Sequence, residues 1–433
     1  MDIELLHLIV ILGIFLIGAA YFKIPIGVAM MLSAFGGIFI YSAISAPDQF
    51  LQIPRHLVDG SFAYIEPMLT IVAAMIFMRF FADSGALESF TVLAVEKLYR
   101  FPTVLLIIFM IIIMFPAMIT GSSVTSIVSA GALVAPTLLA LGIPKTKTAG
   151  IVVCGSIFGM IAPPINLPVM IIADTVDMPY TGFTLPLLIL TVPLAIFCVL
   201  FLGRRYVGKI DIEDVKKKIP MAIKDEVNTF VYIPILVLIV LLVIVNVFPT
   251  WLPPIGLPLV FLIPALIQAF LGRKFNIVTS ARNGVRTALP VMAVLVGIGM
   301  FIQAMTLTGV RGYIVYNILA LGQVTWGQHP ILLYLGSLTL IPAVGAFSPL
   351  GSASVFGGPY VLVLLFLNEI VVAAALSMFT GVGDFIPPSV VALHSTHIVE
   401  LDGYGKILKT LIVPIAVTIV VTLAYMILMG MYW

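Results

Sequence analysis

The chain has 433 residues, of which 62% are hydrophobic and only 9% charged, with a net charge of +2 at pH 7. A soluble domain carries roughly a quarter of its residues as charges, so a water-soluble enzyme or nucleic-acid binder is excluded. Near-continuous apolar runs of about twenty residues between short polar breaks indicate an all-α polytopic membrane protein. The basic residues sit in loops, and the two cysteines, Cys154 and Cys198, lie inside apolar runs and give no disulfide framework.

In chain order, the first half predicts spans over 4–22, 27–45, 67–87, 102–120 and 124–142. A longer run over 147–178 is interrupted by Pro163-Pro164, and a further span covers 183–203. The opening Met1-Asp2-Ile3-Glu4 lacks the basic region of a cleavable signal. An amphipathic stretch near 88–100 predicts a connector along the bilayer surface. Residues 204–228 hold Arg204, Arg205, Lys209, Lys216, Lys217, Lys218 and Lys224, and read as a cytoplasmic basic linker. It divides the chain into a first repeat, 1–203, and a second, 229–433. The second half predicts spans over 229–248, 255–271, 288–309, 329–347 and 355–368, an interrupted run over 371–400, and a span over 407–432. A second connector falls near 311–323.

The two halves share landmarks in the same order and at a nearly constant offset. Pro25-Ile26-Gly27 recurs as Pro254-Ile255-Gly256, Pro67 as Pro290, and Gly85 as Gly309. Gly121-Ser122-Ser123 answers to Gly351-Ser352-Ala353, and Pro163-Pro164 to Pro387-Pro388. A duplicated bundle with helices interrupted in matching places is the pattern of a secondary transporter. Loop charge gives the orientation. The stretch 272–287 holds Arg273, Lys274, Arg282 and Arg286, whereas its counterpart 46–66 holds Asp48, Asp59 and Glu66 against Arg55. Lys23 follows the first span and has no charged equivalent at 249–255; Lys406 and Lys409 precede the last span, while 179–183 is uncharged. Inverted repeats, with both termini periplasmic, account for these differences; parallel repeats would need equivalent loops of similar charge.

Two kinds of break carry candidate chemistry. Thr120-Gly121-Ser122-Ser123, followed by Thr125 and Ser126, offers hydroxyls and free carbonyls, hard oxygen ligands for Na⁺, at a half-helix N-terminus that attracts a carboxylate. Small residues also serve close helix packing. Pro163-Pro164 removes two backbone donors and forces the helix to unwind beside Asn166. The equivalent break is Gly381-Val382-Gly383-Asp384-Phe385-Ile386-Pro387-Pro388-Ser389; a simple kink is the plain alternative. The candidate ion- and substrate-binding residues are therefore Gly121, Ser122, Ser123, Thr125, Pro163, Pro164, Asn166, Gly351, Ser352, Gly383, Asp384, Pro387, Pro388 and Ser389. Ser122, Ser123, Asn166, Ser352 and Asp384 are the Na⁺ candidates among them.

The run GSSVTSIVSAGALVAPTLLALGIPKTKTAGIVVCGSIFGMIAPPINLPVMI, with the later GDFIPPSVVAL, resembles the large membrane subunit of tripartite ATP-independent periplasmic (TRAP) transporters. The resemblance covers nearly the whole chain and is most specific over 120–170. It implies an elevator-type permease in a bacterial or archaeal cytoplasmic membrane, taking up a small organic anion on a Na⁺ gradient, with no cofactor. It also implies two partners, a soluble periplasmic binding protein and a small membrane subunit of four helices. Two departures stand out. The family's acidic residue near the second glycine-rich break is missing from Ala346–Ser352 and an acid appears at Asp384 instead, and Asn166 stands where hydroxyl residues are more usual. A stand-alone anion symporter or a cation/proton antiporter on the same scaffold is the alternative.

The remaining intramembrane charges are candidates because burying them is costly. Arg79 and Asp83, one helical turn apart, predict a local ion pair. Asp174 and Glu369 fall near an interface. His394 and His397 follow the second Pro-Pro as candidate proton or substrate ligands. No metal-ligand cluster, nucleotide loop or nucleophile–base pair stands out, so the chain does not read as an enzyme.

Overall fold

The computed structural model describes residues 3–207, 232–247, 255–271, 275–326 and 331–432. Most of the central linker, residues 248–254 and Arg273-Lys274 lie outside the described residues, and with them the charges assigned there.

The described secondary structure is helical throughout, as lipid requires of a chain that must satisfy its backbone polar groups internally. The first half contains α1 (Ile3–Leu16, prolonged by a π turn Ile17–Tyr21), α2 (Ile26–Ile44), α3 (Ile53–Phe62), α4 (Ile65–Asp83) and α5 (Ala86–Leu98). Then come α6 (Pro102–Thr120), α7 (Ser123–Ala140), α8 (Lys145–Ile161), α9 (Leu167–Asp174) and α10 (Thr184–Gly203). The second half contains α11 (Ile233–Val247), α12 (Leu257–Leu271), α13 (Ile277–Leu307), α14 (Val310–Trp326) and α15 (Ile331–Gly345). It continues with α16 (349–363), α17 (Glu369–Gly383), α18 (Val390–Ile398) and α19 (Gly405–Tyr432). Eight helices among the described residues are long and apolar enough to cross a membrane.

The repeat is legible helix by helix. α3 begins at Ile53 and α4 ends at Asp83; α13 begins at Ile277 and ends at Leu307, so start and end are displaced equally. In the first half this unit breaks at Ala63-Tyr64, and in the second it is one helix of 31 residues. The sequence predicts a span from 288 with 272–287 as a loop; the structure corrects this. Asn276 caps the helix, its Oδ1 accepting Thr279 N–H at 3.0 Å, so Arg282 and Arg286 ride on its first turns. Its counterpart 46–66 is likewise helical over 47–62, with Arg55 and Asp59 paired at 3.8 Å. The return arm predicted at 355–368 lies instead at 349–363, because a serine cap at Ser348 starts it earlier.

Glycine lets the two halves interlock. A Cβ on Gly27 of α2 would meet the backbone of Ala293 in α13, and one on Gly60 of α3 would meet the backbone of Gly299. Small residues at such crossings allow backbones to touch. α2 of one repeat thus crosses α13 of the other, and its counterpart α12 crosses α4.

The contacts of the interrupted helices give the orientation. α6–α7 and α15–α16 form two hairpins. α8 starts at the base of the first hairpin, a short turn after α7, and α9 continues it past the break to pack on α16. A Cβ on Gly358 of α16 would touch Thr175, just beyond α9. Reciprocally, α17 starts at the base of the second hairpin and α18 ends against α7, where Ile398 approaches Gly131. Each interrupted helix therefore runs from the base of its own hairpin to the base of the other, so the hairpins enter from opposite faces. The repeats are inverted.

Candidate functional site

α6 stops at Gly121, whose φ of +65° places it in the left-handed region that glycine tolerates. A Cβ there would meet the Leu167 side chain at 2.6 Å, so the hairpin tip lies directly on the start of α9. Ser122 caps α7, its Oγ accepting Thr125 N–H at 3.3 Å. At the second tip the cap is Ser348, whose Oγ accepts Gly351 N–H at 3.0 Å, with Pro349 at the first helical position. The structural equivalent of Ser122 is therefore Ser348, and Gly351-Ser352 sits one turn inside α16. This corrects the register of the second glycine-serine motif. Ser352 corresponds to Ser126: Ser126 Oγ donates to Ile113 O, and Ser352 Oγ donates to Ile341 O at 2.6 Å. Each hydroxyl fastens the return arm of its hairpin to the entering arm. The π turns Ile127–Gly131 and Ala353–Gly357 repeat in this same register.

The Pro-Pro breaks are also paired. Both Pro163-Pro164 and Pro387-Pro388 are cis. After the first, Asn166 caps α9, accepting Val169 N–H at 2.9 Å, while its Nδ2 donates to Ile161 O at 2.7 Å and Ser377 Oγ at 3.1 Å. After the second, Ser389 caps α18, accepting Val391 N–H at 3.1 Å. A tyrosine then braces each unwound strand. Tyr180 Oη donates to Pro164 O at 3.0 Å, and Tyr404 Oη donates to Phe385 O at 3.0 Å. The two tyrosines stand as far apart in the sequence as the two proline pairs do.

Tips and breaks converge on one cavity of about 140 Å³. Ser122, Ser123, Ser348 and Asp384 line it, with the first residues of α7, α9, α16 and α18 around them. Four helix N-termini thus turn the positive ends of their dipoles to one space. Against this, Asp384 is 5% exposed and takes two hydroxyl donors, Ser123 Oγ on Oδ2 at 3.0 Å and Ser389 Oγ on Oδ1 at 2.9 Å. The arrangement can bind a hard cation at the carboxylate and hydroxyls, and an anion at the helix ends.

Of the predicted site residues, Gly121, Ser122, Ser123 and Asp384 line this cavity, and Ser389 reaches it through Asp384. Thr125 faces a separate cavity of about 270 Å³ beside Arg79 and Ser129, and Pro164 faces one of about 470 Å³ with Tyr64, Asp174 and Tyr180. Pro163 is buried, and Pro387 and Pro388 are exposed. Asn166 spends both N–H bonds of its amide on its own break and on α17. Gly383 is a packing contact: a Cβ there would meet the backbone of Gly345, as one on Gly159, its equivalent in the first repeat, would meet Met114 O. Arg79 and Asp83 do pair, at 3.0 Å, and Ser280 Oγ of α13 also donates to Asp83. Asp174 borders the cavity of about 470 Å³ and Glu369 is exposed. His394 Nδ1 bonds the Val390 carbonyl one turn back on its own helix and His397 is exposed, so neither joins the cavity. Sequence reasoning misses Ser348, Tyr180 and Tyr404; the Ser-Pro cap and the tyrosine spacing are the signals for them.

Residues 10–431 match the family described as Tripartite ATP-independent periplasmic transporter, DctM component. The Na⁺/H⁺ antiporter NhaC of Bacillus subtilis is 27% identical over 208 residues, 46% of this chain and 45% of that protein, so the match spans about half the length of the relative. Among solved structures, MtrF of Neisseria gonorrhoeae, described within a class of antimetabolite efflux pumps, superposes with a TM-score of 0.67 at 13% identity, covering 96% of each chain. The YdaH transporter of Alcanivorax borkumensis gives a TM-score of 0.61 at 16% identity over 88% of each chain. These two likenesses are of fold.

Proposed function

The chain belongs to the DctM-component family of tripartite ATP-independent periplasmic transporters, and from that premise we propose that it is the permease of a Na⁺-coupled system taking up a small carboxylate. It is a multi-pass membrane transporter, not an enzyme. A soluble periplasmic binding protein delivers the anion and a small four-helix subunit completes the complex in a bacterial or archaeal cytoplasmic membrane. The hairpins and interrupted helices then move as one body against the framework of α2, α4, α12 and α13, in the elevator manner.

One observation carries this reading: Asp384 is tied to Ser123 and Ser389 beside four converging helix N-termini. A carboxylate surrounded by hydroxyls is an oxygen set that suits a hard cation. An anionic substrate cannot share the space with Asp384 unless a cation neutralises it, because unpaired charge at membrane depth is costly. Ion and substrate therefore bind together, which is the requirement for symport. Among the described residues no three His, Cys, Asp or Glu side chains gather.

The test is reconstitution. With the small subunit and a loaded binding protein, an inward Na⁺ gradient drives electrogenic uptake; the chain alone transports little. Robust uptake of free substrate by the chain alone refutes partner dependence. The likeness to NhaC favours a second reading, in which Asp384 exchanges Na⁺ for H⁺. Na⁺-driven H⁺ movement with no organic anion present would select it.

A further inference from the structure

Two features of the shared cavity define the body of the acid it takes. The first is charge. Asp384 supplies one fixed negative charge, and among the described residues no Lys, Arg or His lines the space. Arg79, on the framework helix α4, faces the neighbouring cavity and is spent on Asp83 at 3.0 Å. Counter-charge must therefore arrive with the substrate: one cation for Asp384 and one more for each carboxylate carried. Helix N-termini help one carboxylate at their focus and do not reach a second at the far end, because their field falls off within a turn.

The second feature is the wall. Away from the serines and Asp384 every lining side chain is apolar, among them Ile26, Val291 and Val294 from the framework and Val124, Met160 and Leu350 from the hairpins and interrupted helices. None of these side chains offers a substrate a strong hydrogen bond, so a hydroxyl laid against them would lose its water without a replacement partner. The space is short as well. A volume of about 140 Å³ is close to that of an engineered cavity of roughly 150 Å³ that takes one benzene, a ligand of about six heavy atoms.

We propose that the substrate is a short monocarboxylate with an aliphatic body, on the order of three to five carbons, and neither a dicarboxylate nor a polyhydroxylated sugar acid. This rests on the carboxylate-symport reading above and narrows it. The carboxylate sits at the helix N-termini beside the Na⁺-neutralised Asp384, and the alkyl end lies between Val294 and Leu350.

The experiment is ligand binding to the purified full-length chain together with its small membrane subunit in lipid nanodiscs, by calorimetry, in Na⁺ and in choline. Butyrate and isobutyrate are expected to bind only in Na⁺, at least tenfold more tightly than succinate or gluconate. Propionate, one methylene shorter, should bind about fourfold more weakly than butyrate. Val294→Ala should move the optimum to a longer acid, favouring pentanoate over butyrate, whereas a general folding defect would weaken all acids alike. Na⁺-dependent binding of succinate or gluconate as tight as butyrate overturns the inference and leaves carboxylate symport standing. An unchanged order in Val294→Ala also overturns it. Absence of Na⁺-dependent binding by every acid overturns both.

Discussion

Ser123 Oγ donates to Asp384 Oδ2 at 3.0 Å across 261 positions of sequence, so the first hairpin tip and the second helix break share one carboxylate. Ser389, at the other end of that break, donates to Oδ1 at 2.9 Å. Neither repeat completes the group alone. Displacing the first hairpin tip relative to α17 would break the Ser123 bond to Asp384.

Removing members of this group should weaken the driving ion in a graded way. Asp384→Asn keeps the shape but deletes the charge facing a cation, and Ser123→Ala or Ser389→Ala deletes one oxygen. At about 1–3 kcal/mol per charged contact, the Na⁺ concentration for half-maximal uptake should rise roughly ten- to a hundredfold. Asp384→Asn should be the most severe. Unchanged Na⁺ dependence in folded Asp384→Asn and Ser123→Ala would leave these breaks as packing features only.

The interrupted helices are legible in the sequence because Pro-Pro abolishes backbone donors wherever it stands, and inversion is legible because lysine and arginine record sidedness. The second tip is not. Its cap, Ser348-Pro349, is hidden by a Gly-Ser pair one turn later that matches the first motif in letters and not in backbone geometry. Asn166 suggests a ligand role by its polarity, and its amide also closes the break onto Ser377, a contact 211 positions away that no local pattern announces. The long helix α13 is cut short in a sequence reading because its first turns are basic and look like loop.

The corrected register makes its own prediction. Ser348→Ala removes a cap that lines the cavity, and should cost about 1 kcal/mol of stability and also weaken substrate or ion binding several-fold. Ser352→Ala removes the donor to Ile341 O and should cost about 1 kcal/mol with ion and substrate affinities unchanged. Thermal melting and uptake kinetics on the two variants separate these outcomes. If Ser352→Ala shifts Na⁺ affinity and Ser348→Ala does not, the pairing of Ser348 with Ser122 is wrong.

Inversion can be measured directly. Arg55 and Arg282 are both exposed and occupy nearly equivalent places at the start of α3 and α13. With the two native cysteines replaced, Arg55→Cys should react with a membrane-impermeant maleimide from the periplasmic side and Arg282→Cys only after the cytoplasmic face is opened. Labelling of both from one side contradicts the opposed hairpins.

The last prediction isolates the tip itself. Gly121 combines a φ of +65° with a neighbour, Leu167, that a Cβ would meet at 2.6 Å. Gly403 has a φ of +87° and nothing within 4 Å of such a Cβ. Both Gly→Ala variants carry the left-handed backbone penalty of about 1–2 kcal/mol, and Gly121→Ala adds an overpacking cost of about 1–3 kcal/mol against the start of α9. Gly121→Ala should therefore melt several degrees lower than Gly403→Ala. Relief of the clash moves the tip away from α9 and draws Ser123 off Asp384, so uptake should fall even in the fraction that folds, with a raised Na⁺ requirement. Gly403→Ala should keep the parental Na⁺ dependence. Equal melting temperatures and equal Na⁺ dependence in the two variants would show that the tip tolerates displacement, and that its closeness to α9 does not set the geometry of the site.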